Sequence, residues 1–482
     1  MKDYFSSISN SLDVQVRSLE KVKDLDYCAI FLEQGLGKSK IAIDLILYWF
    51  KNKILSNVIV FTKKGLIKNW AEEIQKHSFL SYGILSQNIE SNSDLFFANV
   101  NFLLANFEVI NLEKLRIKQF AEINKVGIIL DESAKIKNPL SKLTQNFHEI
   151  SDCFKKKCIM TGTPSANRPF DIWSQIKFLD NGKALGVDFE SFKKRFDLNN
   201  KLQKNINEQL KFSKNLSSIY NKISHFTVRE TKEKSGVNLP KKTFLNIEAS
   251  WESKQKEKYL DLKEEFRVYI EKSGKKIEED AEPILKRIIR LIQVTSNPGL
   301  IDDSYNANPG KLNSLLELVN EILKKNEKLI IWTCYLKNID WLAKIFIEYF
   351  PLVLHGKQTL SQRNTSISQF KNNCNHKILI ATPQSSKEGL TLTVANHCIF
   401  YDRTLSLDDY LQAQDRIHRI SQNKECFIYN LIMKGSIDRW IDNLVSAKYW
   451  SAKLLIGDIS EFEFKEKIRY NYGEIIKSIL KT

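Results

Sequence analysis

Phe31-Leu-Glu-Gln-Gly-Leu-Gly-Lys-Ser-Lys-Ile41 decides how the rest of this 482-residue chain is read. The residues before it, Tyr27-Cys-Ala-Ile-Phe-Leu32, form a short apolar run, the pattern of a buried strand. The residues after it, Ile41-Ala-Ile-Asp-Leu-Ile-Leu-Tyr-Trp-Phe50, predict a packed helix. A strand, a glycine turn, Lys-Ser and a helix are the parts of a phosphate-binding loop. Gly35 and Gly37 let backbone N–H groups turn inward around an anion. The helix N-terminus adds its own unpaired N–H groups and the positive end of its dipole. Lys38 is then placed to reach the β- and γ-phosphates of ATP, and Ser39 to hold magnesium. The full pattern asks for glycine where this chain has Leu32, so the loop alone also fits an ordinary glycine turn followed by a helix with a solvated lysine.

The next informative stretch downstream is Val126-Gly-Ile-Ile-Leu-Asp131-Glu132, an apolar strand ending in adjacent carboxylates. Asp131 suits magnesium held through its water shell, and Glu132 suits the orientation and deprotonation of an attacking water. Cys158-Ile-Met-Thr161-Gly162-Thr163-Pro164 reads as a strand that ends in hydroxyls and a tight turn. Such a turn can sense a γ-phosphate and relay its presence, or it can simply end a strand. In Tyr410-Leu-Gln-Ala-Gln-Asp-Arg-Ile-His-Arg-Ile-Ser-Gln422, a helix would set Gln412, Arg416 and Arg419 on one face. Arginines presented together are poor for burial and good for clamping a triphosphate.

Other positions leave alternatives open. Gln15, in the segment leading to the first strand, fits an adenine-reading group and a surface residue equally. Lys63 and Lys64 follow the expected strand Asn57–Thr62 at the start of a helix, which suits nucleic-acid phosphates or a solvated loop. From about residue 170 to 310 the strand–helix alternation stops, charged helical stretches take over, and Pro240-Lys-Lys242 reads as a hinge or linker. A second alternation then begins near Gly310, with strands expected at 328–333, 352–355, 377–382 and 397–401. It holds no glycine loop with Lys-Ser, so one ATP is expected, bound mainly by the first half. Trp440 and Trp450 are expected to pack a C-terminal helix onto the body.

Composition excludes some classes and favours others. Hydrophobic residues at 43% and charged residues at 27% are the balance of a globular domain. No apolar run approaches the roughly 18 residues of a membrane span, and no signal-peptide core is seen, so a cytoplasmic chain with no membrane partner is expected. The seven cysteines include no Cys-x-x-Cys pair, so reduced thiols rather than a zinc site are expected. The net charge of +16 suits a polyanionic partner such as DNA, although a lysine-rich genome produces the same excess.

Together these motifs resemble the Swi/Snf-type DNA translocases, the chromatin-remodeller branch of the superfamily-two helicases. The resemblance runs through nearly the whole chain. Leu32-Glu-Gln-Gly-Leu-Gly-Lys-Ser39 is similar to that family's ATP loop, and Asp131-Glu-Ser-Ala-Lys-Ile-Lys-Asn138 to its magnesium motif. Thr161-Gly-Thr-Pro164 matches its third motif, Glu388-Gly-Leu-Thr-Leu392 its fifth, and Gln412–Gln422 its sixth. The stretches Phe226–Lys242 and Pro309–Val319 also resemble family segments. The resemblance implies an α/β fold: two RecA-like, doubly wound parallel-sheet domains with helical insertions and a C-terminal helical segment. It places the first domain at residues 1–245, with an insertion at about 170–240, then an insertion or linker at 246–310. The second domain follows at 311–435 and a helical brace at 436–482.

The resemblance further implies Lys38, Glu132, Arg416 and Arg419 as catalytic groups, and Gln15, Gly35, Gly37, Lys38, Ser39 and Gln412 around ATP. Ser39 and Asp131 would hold magnesium, Thr161, Gly162 and Thr163 would couple, and Lys63, Lys64, Ser386 and Lys387 would meet DNA. There are departures. Leu32 stands where the family usually has Asp, and Ser133-Ala134 replaces the usual Ala-His after the carboxylates. Ser386 and Lys387 replace a usual glycine stretch, which alters that DNA contact, and Asp415 takes a position that is often glycine. The expected protein is a monomeric, ATP-driven motor on double-stranded DNA, in a bacterial cell or a phage-infected host. The alternatives are a helicase for forks or four-way junctions, and a nucleic-acid-binding module without turnover.

Overall fold

The computed structural model describes residues 4–165, 167–196, 206–236, 239–273, 281–388 and 390–467. The chain divides into two compact units, Met1–Asn238 with Trp450–Lys467, and Leu239–Tyr449. The first is built on a sheet of seven strands: β1 (Tyr27–Ile30), β2 (Asn57–Thr62), β3 (Tyr82–Leu85), β4 (Phe102–Asn106), β5 (Val126–Asp131), β6 (Lys156–Met160) and β7 (Thr227–Val228). Their order is β3-β4-β2-β5-β6-β1-β7, and every pairing is parallel. Parallel strands are covered by helices on both faces, which is why β5 is buried along its whole length. The helix Lys38–Lys51 buries Ile41, Ile43, Leu45, Ile46, Trp49 and Phe50, nearly all round, as a helix inside a large core does. Each such aliphatic side chain removed from water contributes about 1.5–3 kcal/mol.

Register brings the functional stretches to one edge. Ile30 lies beside Met160, Met160 beside Asp131, and Thr62 beside Asn106, so β1, β2, β4, β5 and β6 all end together. The carboxyl edge of a parallel sheet is where ligands of such folds bind, because loops and helix N-termini converge there.

The second unit carries β8 (Lys242–Ala249), β9 (Leu329–Trp332), β10 (Leu352–Leu354), β11 (Ile378–Ala381), β12 (His397–Phe400) and β13 (Cys426–Met433). Their order is β10-β11-β9-β12-β13-β8, again parallel throughout. The boundary expected at 245/246 falls inside β8, which pairs with β13 from Lys242↔Cys426 to Ala249↔Met433. Without β8, the eight-residue β13 would be an unpaired edge. Pro240-Lys-Lys242 is accordingly no free linker. The Lys241 carbonyl accepts from Cys426 N at 2.9 Å, and the Pro240 carbonyl from His418 Nε2 at 2.9 Å.

The expected insertions are present as helices at Ile206–Ile223, Ser253–Ser273 and Ala281–Ser296. The C-terminal segment is helical at Ile437–Leu455 and Glu461–Lys467, with Trp440 and Trp450 half-buried; residues 468–482 of the expected brace lie outside the described residues. Beyond Tyr449 the chain rejoins the first unit. Arg229 grips Asp458 there with Nε and Nη2 at 2.9 and 2.7 Å, and its Nη1 donates to the Phe31 carbonyl at 2.7 Å. No described helix is long and apolar enough to cross a membrane.

Candidate functional site

The loop after β1 has the backbone that the glycines require. Gly35 has φ +90° and Gly37 φ +76°, both in the left-handed region. A side chain at Gly37 would be blocked twice, because a Cβ there would lie 2.3 Å from Gln15 Nε2. Gly37 is the N-cap of the helix Lys38–Lys51, and no side chain caps that N-terminus. Its first N–H groups therefore point toward the glycine turn, a fit for an anion. Lys38 opens the helix, with Nζ donating to the Leu32 carbonyl at 3.1 Å, and Ser39 follows it. Gln15 is buried on the helix Asp13–Val22 and spends its amide on the loop backbone. Its Oε1 accepts from Leu12 N at 2.9 Å and its Nε2 donates to the Leu36 carbonyl at 3.3 Å. The surface alternative for Gln15 is thus removed.

Asp131 ends β5 and is buried. Its Oδ2 accepts from Trp70 Nε1 at 2.8 Å and from Thr62 Oγ1 at 3.2 Å. Burial, and next the charge of Glu132, push the Asp131 carboxyl above the usual range, while these donors and the Lys38 ammonium pull it back. A cation brought to this edge would meet a carboxylate that lacks solvation, the condition under which a metal is held. Glu132 turns the chain at φ +57°, ψ +47°. A non-glycine residue there costs of order 1–3 kcal/mol, and such strain clusters at working sites. Lys63 Nζ stands 3.7 Å from Glu132 Oε2, so the lysine assigned to nucleic acid is also the partner of the candidate base. Lys64 is exposed at the start of the short turn Lys64–Leu66.

The Thr161–Thr163 turn continues β6 at the same edge. Thr161 is fully buried, and its Oγ1 accepts from Thr163 N at 3.2 Å. Gly162 packs so close to the phosphate loop that a Cβ would lie 2.9 Å from Gln34 Cγ.

In the second unit the structure corrects the expected helical face. The helix Leu407–Gln414 stops before both arginines, so Gln412, Arg416 and Arg419 do not share one helix. The physical reason lies in the arginines themselves. Arg416 Nε donates to the Gln412 carbonyl at 2.9 Å, and Arg419 Nε to the Asp415 carbonyl at 3.0 Å, each capping a carbonyl four residues back. Arg416 Nη1 also reaches the Leu390 carbonyl at 3.2 Å, and Arg419 Nη1 reaches Thr391 Oγ1 at 2.8 Å. Arg416 is buried, at 2% exposure, contrary to the expectation that such arginines avoid burial; its carbonyl partners make that tolerable. Gln412 Nε2 donates to Asp408 Oδ1 at 2.8 Å, and its buried Oε1 has no donor among the described residues. Ser386 and Lys387 fall in the turn Pro383–Glu388, with side chains outside the described residues, as is Gly389 of the fifth motif.

Sequence reasoning missed Trp70 and Thr62 as partners of Asp131. The signal for Trp70 was available, since a buried indole N–H needs an acceptor.

Comparison with known proteins identifies relatives of this chain. An uncharacterised ATP-dependent helicase of Mycoplasma genitalium is 28% identical over 89% of this chain and 40% of its own length. A DNA repair and recombination protein of Saccharomyces cerevisiae is 27% identical over 93% of this chain and 53% of its own length. The chain thus spans about half or less of these curated relatives. Among solved structures, the Sulfolobus solfataricus SWI2/SNF2 ATPase core in complex with double-stranded DNA aligns over 99% of this chain and 98% of that one, at 23% identity and a TM-score of 0.44. Residues 21–300, more than half of the chain, match the SNF2-related domain, and residues 310–421 match the helicase conserved C-terminal domain. The chain belongs to the SNF2-related family.

Proposed function

We propose that this chain is an ATP-driven translocase on double-stranded DNA. The observation that carries the reading is the meeting, at one sheet edge, of the left-handed glycine loop at Gly35–Lys38 with Asp131 and the strained Glu132. In this reading the loop N–H groups and Lys38 bind the triphosphate. Ser39 and Asp131 hold magnesium, which when bound neutralises phosphate charge. Glu132 orients the attacking water and takes its proton. Arg416 and Arg419 neutralise charge that develops on the transferred phosphoryl group, where planar donors held in advance act best. Gln412, with its orphaned buried Oε1, belongs with the nucleotide-binding groups. Lys63, Lys64 and the turn holding Ser386 and Lys387 are assigned to DNA phosphates, which hold the duplex without reading its sequence. In this reading the protein works as a monomer in the cytoplasm of a bacterial cell or a phage-infected host.

The second reading is a motor for forks or four-way junctions. It is favoured by the recombination protein among the relatives and by the charged helices between β7 and β9. The test compares ATP hydrolysis with duplex, single strand, fork and junction. Strongest stimulation by duplex, without strand separation, is expected. Stimulation by single strands alone overturns the proposal, and efficient unwinding of forks or junctions with little response to duplex replaces it with the second reading.

A further inference from the structure

One buried amide joins the segments that carry the candidate chemistry. Gln175 lies on the helix Trp173–Asp180, and both it and Ser133 have no solvent exposure. Gln175 Nε2 donates to the Pro164 carbonyl at 2.7 Å and to the Asp171 carbonyl at 2.9 Å. A primary amide has two hydrogens, so its donor side is fully spent and its orientation is fixed; reversed, Oε1 would face carbonyl oxygens. The remaining side, Oε1, accepts from Ser133 Oγ at 2.8 Å. Ser133 directly follows the strained Glu132, and Pro164 directly follows Thr163. The preceding residue of the helix ties to the same turn: Ser174 Oγ donates to the Ile136 carbonyl at 2.6 Å, at the end of the turn Ser133–Ile136.

We infer that Ser133 and Gln175 are positioning residues that couple the Glu132 corner to the Thr161–Pro164 turn, so that nucleotide state is felt at that turn and DNA binding is felt at Glu132. The serine stands where a helicase of this kind usually has alanine, and the histidine next to it is replaced by Ala134. The link therefore uses a hydroxyl and an amide. It is stiff because all four groups are buried or backbone, and a movement of the Glu132–Ser133 corner cannot occur without pulling on Pro164 or breaking a bond that water does not replace.

This inference rests on the proposed DNA-stimulated ATPase, so the wild-type chain is read first; absence of duplex stimulation there overturns the functional proposal and this one with it. Given stimulation, Ser133→Ala, Gln175→Leu and the double variant are compared by basal rate, duplex-stimulated rate, KM for ATP and melting temperature. Ser133→Ala deletes a single oxygen and is the variant least disturbing to folding. A coupling link is broken once, by either change. The ratio of stimulated to basal rate should fall roughly 5-fold or more in each single variant and no further in the double, with basal rate and KM held within about 2-fold. A merely structural strut would instead lower both rates together with the melting temperature and leave their ratio unchanged. That result, or an unchanged ratio in Ser133→Ala, overturns the inference.

Discussion

The carboxyl edge of the first sheet and the arginine segment of the second unit solve opposite problems. The first edge is strained: left-handed backbone at Gly35, Gly37 and Glu132, a helix that opens straight from a glycine turn, and a desolvated Asp131. The second presents finished cations, since Arg416 and Arg419 are each held by a carbonyl four residues back and by a further acceptor. An edge that binds a changing ligand must leave donors and acceptors to be completed by it. An edge that stabilises developing charge does best when its donors are fixed beforehand.

The contrast breaks first at the arginines. Arg416→Ala and Arg419→Ala should each lower the catalytic rate by about 10³–10⁵ with little change in ATP affinity. They should differ in stability: the buried Arg416 leaves the Gln412 and Leu390 carbonyls without a donor, at about 1–3 kcal/mol for an orphaned group, while the half-buried Arg419 costs less. Steady-state kinetics and thermal melting separate these effects. Loss of affinity alone in both variants would move the arginines to ground-state binding. At the first edge, Glu132→Gln should keep ATP binding and lower turnover by about 10²–10⁴, because only proton abstraction is removed. Unchanged turnover would exclude Glu132 as the base. Since Lys63 then loses its ionic partner 3.7 Å away, nucleotide binding measured separately is what distinguishes lost chemistry from a rearranged edge.

The smallest effect concerns acid. His77 and His148 in the first unit and His397 in the second are held below the ordinary value of 6.5, in each case chiefly by burial. Unfolding frees them to bind protons near pH 6.5, while the folded chain resists protonation until lower pH. Stability is therefore fully present above 6.5 and is lost as pH falls below it. Glu327 opposes burial at His397, and Glu73 does so at His77, so neither contribution is large. The melting temperature should drop between about pH 7.5 and about pH 5.5, and substitution of His148 by Gln should flatten that drop. A pH-independent melting temperature would contradict this.

How much was legible follows from where each signal lives. The strands Asn57–Thr62 and Val126–Asp131 emerge with the bounds expected, because continuous apolar runs bounded by polar residues are local facts. The same holds for the glycine loop and the paired carboxylates, whose residue types are dictated by the chemistry. β8 was illegible because it is a half-exposed edge with Phe244 and Leu245 facing solvent, and its pairing with β13 lies about 180 residues away. β3 and β7 are short edge strands for which the same holds. The arginine segment was misread because helical spacing says nothing of side chains that end a helix by capping its carbonyls. The pairs Trp70–Asp131 and Ser133–Gln175 are tertiary, and no local pattern carries them.

The ion pair between Arg229 and Asp458 has a consequence for how the molecule is made. Its first member leaves the ribosome well before its second, and the whole of Leu239–Tyr449 is synthesised in between. The unit that holds the phosphate loop is therefore completed only when its last segment arrives from beyond the other unit. Every nascent chain passes through a stage in which all strands of the second sheet have been made and the first unit lacks Trp450–Lys467. A chain released between Met433 and Asp458 carries both sheets yet leaves the Arg229 guanidinium without the Asp458 carboxylate.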